Sequence, residues 1–307
     1  MKNVRIYFQV VAIIFFATIS IIILPQILNS TNNFLAGVSI PKNNVNVAGV
    51  QKYNITPSSL GILPPITSAK SILIKDLGCD CTLFEKNSKI RLPIASTTKI
   101  MTALVASEYF AANSNLTVKD AAGISGSTVN LSRGETLSFR SLLYGLLLNS
   151  GNDAAFAIAE NYSGGVDSFV EAMNKKAKDL NLQNTHFDNP AGFDSNNHFS
   201  SAEDLAIIAE ESLKNSQLAR IFATKETEVL SLDKKFSHKL FNLNKLLSSV
   251  VGVLGIKTGT TSLAKENLVG LVERNEHRII TVVLGSDDRF RETTNLIEWT
   301  YQNFTWQ

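Results

Sequence analysis

The longest apolar run of the chain lies near its start, at residues 10–28, and follows Lys2 and Arg5. No charged residue occurs between Arg5 and Lys42. The run approaches the roughly 20 residues that a helix needs to cross a bilayer, and the basic residues before it favour export of everything that follows. The pattern therefore favours an uncleaved signal anchor at residues 1–28. A cleaved signal peptide and a buried core helix are the alternatives.

Residues 29–66 lack the regular apolar period of either a strand or a helix. They are rich in Asn, Ser and Pro, and their charged residues are Lys42 and Lys52. This composition is typical of a linker. We expect a stalk that separates the membrane from a domain at residues 67–307.

From residue 67 the apolar pattern becomes that of a folded domain. The β-rich runs are 71–75, 83–85, 254–260, 267–273 and 278–284. The runs with helical spacing of apolar positions are 97–110, 138–148, 153–160, 166–180, a run that opens at Ser201, and about 291–304. Strands, a block of helices, strands and a helix in this order predict an α+β fold. Its first and last strands should share one antiparallel sheet.

Composition agrees with a folded body. Hydrophobic residues make up 44% of the 307 residues and charged residues 18%, which suits a globular protein rather than a disordered one. The length allows one large domain or two small ones. The formal net charge of +2 gives no electrostatic argument for nucleic acid as a partner.

The two cysteines, Cys79 and Cys81, are separated by one residue. No second Cys or His cluster in the sequence completes a zinc site with them, and we expect neither a metal nor another cofactor. A disulfide between positions i and i+2 would be strained. We therefore expect two thiols at a turn, with an intermolecular disulfide or a redox role as alternatives.

Three short motifs carry the candidate chemistry. They are Ser96-x-x-Lys99 in PIASTTKIMTAL, Ser150-Gly151-Asn152 in LLNSGNDAA, and Lys257-Thr258-Gly259 in GIKTGTT. Each motif alone is common by chance, as a helix start, a helix end or a turn. In this order, and at a helix start, an interhelix loop and a strand, they match the set found in β-lactamases and penicillin-binding proteins. Gly151 occupies the usual Asp position of the second motif.

The first motif has a physical rationale as a nucleophile and its base. A serine hydroxyl needs a neighbouring base to take its proton, and Lys99 follows Ser96 by one helical turn on the same face. A lysine can act as a base when burial or a nearby positive charge lowers its pKa, and Lys257 would supply such a charge. Backbone N–H groups at Ser96 and at Thr260, on an expected edge strand, would form an oxyanion hole.

With these motifs, the chain from about residue 69 to residue 306 resembles the low-molecular-mass penicillin-binding proteins of the D-alanyl-D-alanine carboxypeptidase family, peptidase family S11. The resemblance extends through LFEKNSKIRLPIASTTKIMTALVA, GETLSFRSLLYGLLLNSGNDAAFAIAE, FDNPAGFDSNNHFSSAEDLA, FNLNKLL and GIKTGTT, in that order. It implies a DD-peptidase/β-lactamase-like fold, in which an antiparallel sheet packs with helices beside an all-helical subdomain. It also implies a hydrolase that removes the terminal D-alanine of peptidoglycan stem peptides and is acylated by β-lactams.

The resemblance implies a role for each motif residue. Ser96 would be the nucleophile and Lys99 its general base. Ser150 would relay a proton to the leaving D-alanine, and Asn152 would bind the substrate backbone. The terminal carboxylate would bind on the KTG strand, at Lys257, Thr258, Gly259 and Thr260. Asp194 and His198 lie in a family-like loop, where we expect structural roles.

The chain departs from the family pattern in two places. Where the family often has Ala-Gly after the third motif, this chain has Ala264-Lys265, and we expect Lys265 to reshape the following loop and affect substrate preference. Many relatives carry a C-terminal β-rich domain and an amphipathic tail, for which we see no room before Gln307. We therefore expect the N-terminal span to anchor a single-pass protein in a bacterial cell membrane, with its catalytic domain extracytoplasmic.

Three alternatives use the same fold. A β-lactamase needs a carboxylate that activates the deacylating water, and no ExxLN-type sequence lies between Asn152 and Lys257; Glu171, in a helical run and followed by AMN, does not fit. A catalytically silent peptidoglycan-binding module and a DD-endopeptidase acting on cross-links remain open. The complete motif set favours the carboxypeptidase.

Overall fold

The computed structural model describes residues 56–306. The expected signal anchor at residues 1–28 and most of the expected linker lie outside this range. Among the described residues, no helix combines the length and apolar character that crossing a bilayer requires.

The described residues form eleven strands, eight α-helices and two 3-10 turns. The strands are β1 (Ser58–Ser59), β2 (Ser71–Asp76), β3 (Cys81–Lys86), β4 (Asn115–Thr117), β5 (Thr136–Ser138), β6 (Glu226–Leu230), β7 (Ser237–Phe241), β8 (Val253–Thr261), β9 (Lys265–Arg274), β10 (His277–Ser286) and β11 (Phe304–Thr305). The α-helices are α1 (Lys99–Tyr109), α2 (Phe139–Leu147), α3 (Asn152–Glu160), α4 (Gly165–Asp179), α5 (Ala202–Leu213), α6 (Ser216–Phe222), α7 (Leu246–Ser249) and α8 (Arg289–Asn303). Two 3-10 turns lie at Ala95–Thr98 and Asp120–Gly123.

A five-stranded antiparallel sheet in the order β3-β2-β10-β9-β8 forms the centre of the domain. The first and last long strands share this sheet, with Leu73 opposite Val282, which confirms the predicted α+β arrangement. The β9–β10 hairpin turns at Asn275 and Glu276, both with positive φ, as a tight two-residue turn requires. The order leaves β8, with the third motif, at an edge of the sheet.

Helices cover the sheet, so its middle strand is buried along nearly its whole length. One apolar cluster joins Ile72, Ile279 and Val283 of the sheet to Leu296 and Ile297 of α8. Helix α5 packs on β10 and β2. Side chains alternate between the two faces of a strand, and residues of both parities are buried in β10. Helices α5 and α8 therefore cover opposite faces.

The helical block is organised around α1, whose residues from Lys99 to Ala106 are all buried. Helices α2, α4 and α5 pack against it. Two of these helices begin with the side-chain caps that their sequences indicate: Ser138 Oγ accepts from Ser141 N, and Ser201 Oγ accepts from Asp204 N, each at 3.1 Å. The block therefore presents the buried N-terminal end of α1 to the edge of the sheet.

The expectation of two free thiols is wrong. Cys79 and Cys81 form a disulfide at the start of β3, with their Cα atoms 5.2 Å apart. Asp80 between them has φ +56°, and Asp76 Oδ1 accepts hydrogen bonds from the backbone of Gly78 and Cys79. The tight turn between β2 and β3 thus brings the two Cα atoms within disulfide range, which residue spacing alone does not indicate.

Candidate active site

Ser96 and Lys99 lie where a 3-10 turn leads into α1. Ser96 is partly exposed, whereas Lys99 is fully buried. The Lys99 amine lies 2.9 Å from Ser96 Oγ, 2.8 Å from Asn152 Oδ1 and 2.6 Å from the carbonyl oxygen of Ala191. Because the last two oxygens can only accept, they take two N–H groups of Lys99. A neutral lysine amine has two N–H groups and one lone pair, so its lone pair would face the Ser96 hydroxyl.

The surroundings of Lys99 favour this neutral form. Burial holds the pKa of Lys99 well below its ordinary value, the positive charge of Lys257 lowers it further, and Asp153 opposes the shift. Within residues 56–306, Lys99 forms no ion pair with a carboxylate. The amine is therefore suited to accept a proton from Ser96.

The second motif lies in the turn between α2 and α3. Ser150 is buried and has φ +58°. A Cβ on Gly151 would lie 2.9 Å from Asp153 Oδ1 and 3.1 Å from the carbonyl oxygen of Gly145. The turn therefore has no room for a side chain at the position where related motifs carry Asp.

Asn152 is the first residue of α3, and both the nitrogen and the oxygen of its side-chain amide form hydrogen bonds. Its Nδ2 donates to the carbonyl oxygen of Ser125 at 2.9 Å, which leaves Oδ1 for Lys99. Its backbone N–H donates to the carbonyl oxygen of Ser127 at 2.6 Å. The segment 125–131 therefore forms the wall behind Asn152, and we call it the 125–131 loop.

Asp153, which the sequence did not mark, fixes this loop. Its buried carboxylate accepts from the backbone N–H groups of Val129 and Leu131 at 3.0–3.1 Å. Nothing in the local sequence separates Asp153 from an ordinary acidic residue in the first turn of a helix.

The third motif brings edge strand β8 against the start of α1. Lys257 and Thr258 are buried, and Thr260 is exposed. A Cβ on Gly259 would lie 2.9 Å from Ser96 N and 3.0 Å from Thr97 N. Glycine is thus required for the strand to pass directly beside the backbone of Ser96.

Lys257 is a second buried lysine of the site. Its amine donates to the carbonyl oxygen of Thr258 at 3.0 Å. Burial, and then the positive charge of Arg289, lower the pKa of Lys257 to about 7. Arg289 begins α8, and its Nη1 donates to the carbonyl oxygen of Gly259 at 2.9 Å. The sequence offered no signal for Arg289, because it reaches the motif only through the folded sheet.

A loop after α4 completes the wall around Lys99. Asn189 Oδ1 accepts from the backbone N–H groups of Ala191, Gly192 and Phe193 at 2.7–3.1 Å, and this turn presents the Ala191 carbonyl to Lys99. Gly192 has φ +91°, and a Cβ there would lie 2.0 Å from the carbonyl oxygen of Ala95. No motif marks these positions, since Ala191 acts through its carbonyl and Asn189 shapes the backbone of its own turn.

The two residues expected to be structural lie beside the site. His198 Nδ1 accepts from the backbone N–H of Asp188 at 3.1 Å, so its other nitrogen donates to Thr98 Oγ1 at 2.7 Å. Burial lowers the pKa of His198 to about 4, which keeps the ring neutral. Asp194 accepts from Thr261 Oγ1 at 2.7 Å and ties this loop to the end of β8.

The structure therefore brings the three motifs into one cleft. Ser96, Lys99, Asn152 and the KTG strand are linked by direct contacts, and Ser150 precedes Asn152 in the same turn. Their individual roles in a reaction stay predictions. Among residues 56–306, no cluster of three or more His, Cys, Asp or Glu side chains is suited to hold a metal ion.

Comparison with known proteins places this geometry in a family. A family model described as D-alanyl-D-alanine carboxypeptidase, Peptidase S11, matches residues 61–288. The chain is 37% identical over 246 residues to the D-alanyl-D-alanine carboxypeptidase DacF of Bacillus subtilis, a match that covers 77% of this chain and 63% of that protein. It is 34% identical over 248 residues to the D-alanyl-D-alanine carboxypeptidase of Streptomyces sp. strain K15, covering 75% and 85% respectively.

The fold agrees with the sequence comparison. The crystal structure of the Streptomyces K15 DD-transpeptidase matches with a TM-score of 0.75 at 32% identity, over 78% of this chain and 100% of that one. The chain spans less than two thirds of the length of the Bacillus relative. On the family match and these identities, the chain belongs to the D-alanyl-D-alanine carboxypeptidase family, peptidase family S11.

Proposed function

We propose that this protein is a serine-type D-alanyl-D-alanine carboxypeptidase that removes the terminal D-alanine of peptidoglycan stem peptides. The observation that carries the proposal is the hydrogen bonding of Lys99. Two carbonyl oxygens take its two N–H groups, and the third contact, at 2.9 Å, is the partly exposed hydroxyl of Ser96. A buried neutral base aimed at one serine is the arrangement that nucleophilic catalysis needs.

In the proposed acylation, Ser96 Oγ attacks the carbonyl carbon of the penultimate D-alanine while its proton moves to Lys99. The oxyanion that forms would accept from the backbone N–H groups of Ser96 and Thr260, which the close approach of Gly259 supports. The C–N bond then breaks as Ser150 relays the proton held by Lys99 to the leaving amine, and D-alanine departs. Water hydrolyses the ester, which releases the shortened peptide and regenerates Ser96.

The strand β8 would bind the terminal carboxylate of the substrate. Lys257 supplies a positive charge, and Thr258 and Thr260 supply hydroxyl donors. Arg289, bonded to Gly259 at 2.9 Å, adds a second positive charge behind the strand. A penicillin carries a carboxylate and a reactive amide and would acylate Ser96 by the same steps, which supports β-lactams as inhibitors.

The proposal includes the location of the enzyme. The apolar run at residues 10–28, with Lys2 and Arg5 before it and no charged residue after it until Lys42, supports an uncleaved span in the cell membrane. Residues 29–66 would connect it to the catalytic domain at 67–307 on the extracytoplasmic side, where peptidoglycan lies.

The decisive experiment uses the full chain in detergent micelles with a stem pentapeptide ending in D-Ala-D-Ala. We expect D-alanine release and labelling by a fluorescent penicillin, both abolished in Ser96→Ala and retained in a matched exposed-serine control, Ser262→Ala. Labelling without release would indicate the silent binding module. Release only from cross-linked dimers would indicate the endopeptidase. Transfer of the acyl group to an added acceptor amine would indicate a transpeptidase, and rapid hydrolysis of penicillin would indicate a β-lactamase.

A further inference from the structure

His238, on β7, lies between two hydrogen-bond acceptors. Its Nδ1 is 2.9 Å from the carbonyl oxygen of Val129, and its Nε2 is 2.6 Å from Glu135 Oε1. The His238 and Glu135 side chains are 8% and 0% exposed. The other Glu135 oxygen accepts from the backbone N–H of Ser132 at 3.0 Å. Both side chains are therefore largely shielded from solvent.

This arrangement fixes the number of protons that it holds. A carbonyl oxygen can only accept, so Nδ1 carries a hydrogen. The contact between Nε2 and Glu135 then needs a second hydrogen, either on the ring or on the carboxyl group. In both cases the pair holds one proton more than a neutral imidazole beside a carboxylate. We call this set, His238, Glu135 and the Val129 carbonyl, the proton clamp.

The proton clamp fastens the wall of the catalytic site to the β6–β7 hairpin. Val129 belongs to the 125–131 loop, and its N–H donates to Asp153. The same loop accepts from both the side chain and the backbone of Asn152, through Ser125 and Ser127. Asn152 in turn accepts from Lys99 at 2.8 Å. Hydrogen bonds and the backbone of the 125–131 loop thus connect His238 to the base beside Ser96.

We propose that His238 and Glu135 are positioning residues of the active site, which hold the 125–131 loop and so orient Asn152 toward Lys99 and the substrate. The inference rests on the proposed function, because it assigns Asn152 to that reaction. Neither residue belongs to the three motifs, and neither touches the reacting atoms.

The proposal makes the site sensitive to alkali. When the shared proton is lost, one ring nitrogen of His238 has no hydrogen. The acceptor that faces this nitrogen, either the Val129 carbonyl or the Glu135 carboxylate, then loses its hydrogen bond. The charged groups around the ring are Glu135 itself, Asp153 on the far side of Val129, and Lys235 and Lys239, which line the cleft between the hairpin and the loop.

Glu135→Gln tests whether the extra proton matters while both hydrogen bonds of the proton clamp are kept. The glutamine amide can donate to Nε2 of a neutral ring whose Nδ1–H still bonds Val129, so both contacts survive without the extra proton. Glu228→Gln is the matched control, because Glu228 is exposed on the same hairpin and bonds only Ser237 among the described residues. His238→Phe removes both contacts at similar volume.

The first test follows D-alanine release and penicillin acylation from pH 6 to 10 on the full chain. Loss of the Lys257 charge above about pH 7 should lower kcat/KM alike in every variant, so the test compares kcat of each variant with that of wild type at the same pH. We expect this ratio to rise with pH for Glu135→Gln and to stay constant for Glu228→Gln. We expect His238→Phe to lower kcat about tenfold at pH 7, with KM changed less. A Glu135→Gln profile identical to that of wild type would overturn the proposal, as would wild-type kcat in a folded His238→Phe.

The second test does not depend on activity. A native state that holds a proton which the unfolded chain loses is destabilised as pH rises. We expect the melting temperature of wild type to fall by about 2–4 °C relative to Glu135→Gln between neutral and alkaline pH. An equal change of melting temperature with pH in wild type and Glu135→Gln would overturn the proposal, whatever the activity of the two proteins. A clear difference without any D-alanine release would instead place the failure with the proposed function.

Discussion

The carbonyl oxygen of Ala191, a residue outside the three motifs, lies 2.6 Å from the amine of Lys99. Together with Asn152 it takes both N–H groups of a neutral lysine. The lone pair of the neutral amine would then face Ser96, and burial, which holds the pKa of Lys99 well below its ordinary value, favours this form. Replacements at Lys99 test this relationship directly.

Lys99→Arg should abolish the base while keeping a long cationic side chain. A guanidinium stays protonated at any pH that the fold survives, so it cannot accept the Ser96 proton. We expect penicillin acylation of Ser96 to slow by about 10²- to 10⁴-fold, measured by stopped-flow or gel-based labelling. Lys175→Arg, which changes an exposed lysine on α4, should acylate at the wild-type rate. Acylation of Lys99→Arg within a few-fold of wild type would exclude Lys99 as the base.

The alkaline limb of the pH profile should depend on Arg289. Lys257 must be charged to bind a carboxylate, so this binding is present below about pH 7 and is lost as pH rises through the pKa of Lys257. Arg289→Gln removes a positive charge that lowers this pKa, and the limb should therefore move to higher pH. The measurement is kcat/KM for the pentapeptide against pH.

Arg291→Gln, on the same helix but exposed, serves as the control for that experiment. Its alkaline limb should coincide with that of wild type. A limb that stays in place in Arg289→Gln, or moves to lower pH, would contradict the electrostatic coupling between Arg289 and Lys257.

Gly259→Ala should damage the site without a change in charge. The added methyl would lie 2.9 Å from Ser96 N and 3.0 Å from Thr97 N, so either β8 or the start of α1 must shift. Because sub-ångström placement governs such sites, we expect kcat/KM to fall about a hundredfold. Gly123→Ala, where a Cβ meets no atom within 4 Å, should retain wild-type kcat/KM; similar activity of the two variants would refute the close approach.

Much of the fold was readable from the sequence, because its longest elements carry continuous apolar patterns. The helix at 97–110, the run that opens at Ser201 and the pairing of the first and last strands followed from that periodicity. The β6–β7 hairpin was missed, since Leu230 and Phe241 are exposed and break the alternation of buried apolar residues. The cysteine pairing was missed because it depends on the left-handed backbone of Asp80.

The site shows a similar division. The motif residues were found because their side chains recur at fixed spacing, and the structure brings them together. Asp153, Ala191 and Arg289 were not found. Each acts through a backbone atom or through a contact between distant segments, and no local pattern reports such a contact.

Lys265 offers a prediction about stability. It has φ +54°, a backbone conformation that glycine adopts without strain, and its amine bonds Asp287 at 2.8 Å. Lys265→Ala removes the ion pair and keeps the strain, whereas Lys265→Gly removes both. We expect the free energy of unfolding of Lys265→Gly to exceed that of Lys265→Ala by about 1 kcal/mol, measured by chemical denaturation.

The reverse order of stability would show that this loop relaxes to another conformation in the variants. Equal pentapeptide activity of both variants and wild type would further show that the departure from the family pattern at Lys265 does not affect substrate preference. A difference in activity between the two variants would locate that preference in the loop conformation.

The pairing of β1 with β11 sets Ser58 opposite Thr305, so the two ends of the described chain leave the domain side by side. Leu60 and Ile62 add backbone bonds to Asn303 at the same place. A tether joined to either end would therefore hold the domain at one point and leave the catalytic cleft facing the same way. For the same reason, a circular permutant that joins residue 306 to residue 56 through a short linker, with new ends in an exposed loop, should keep the architecture of the cleft.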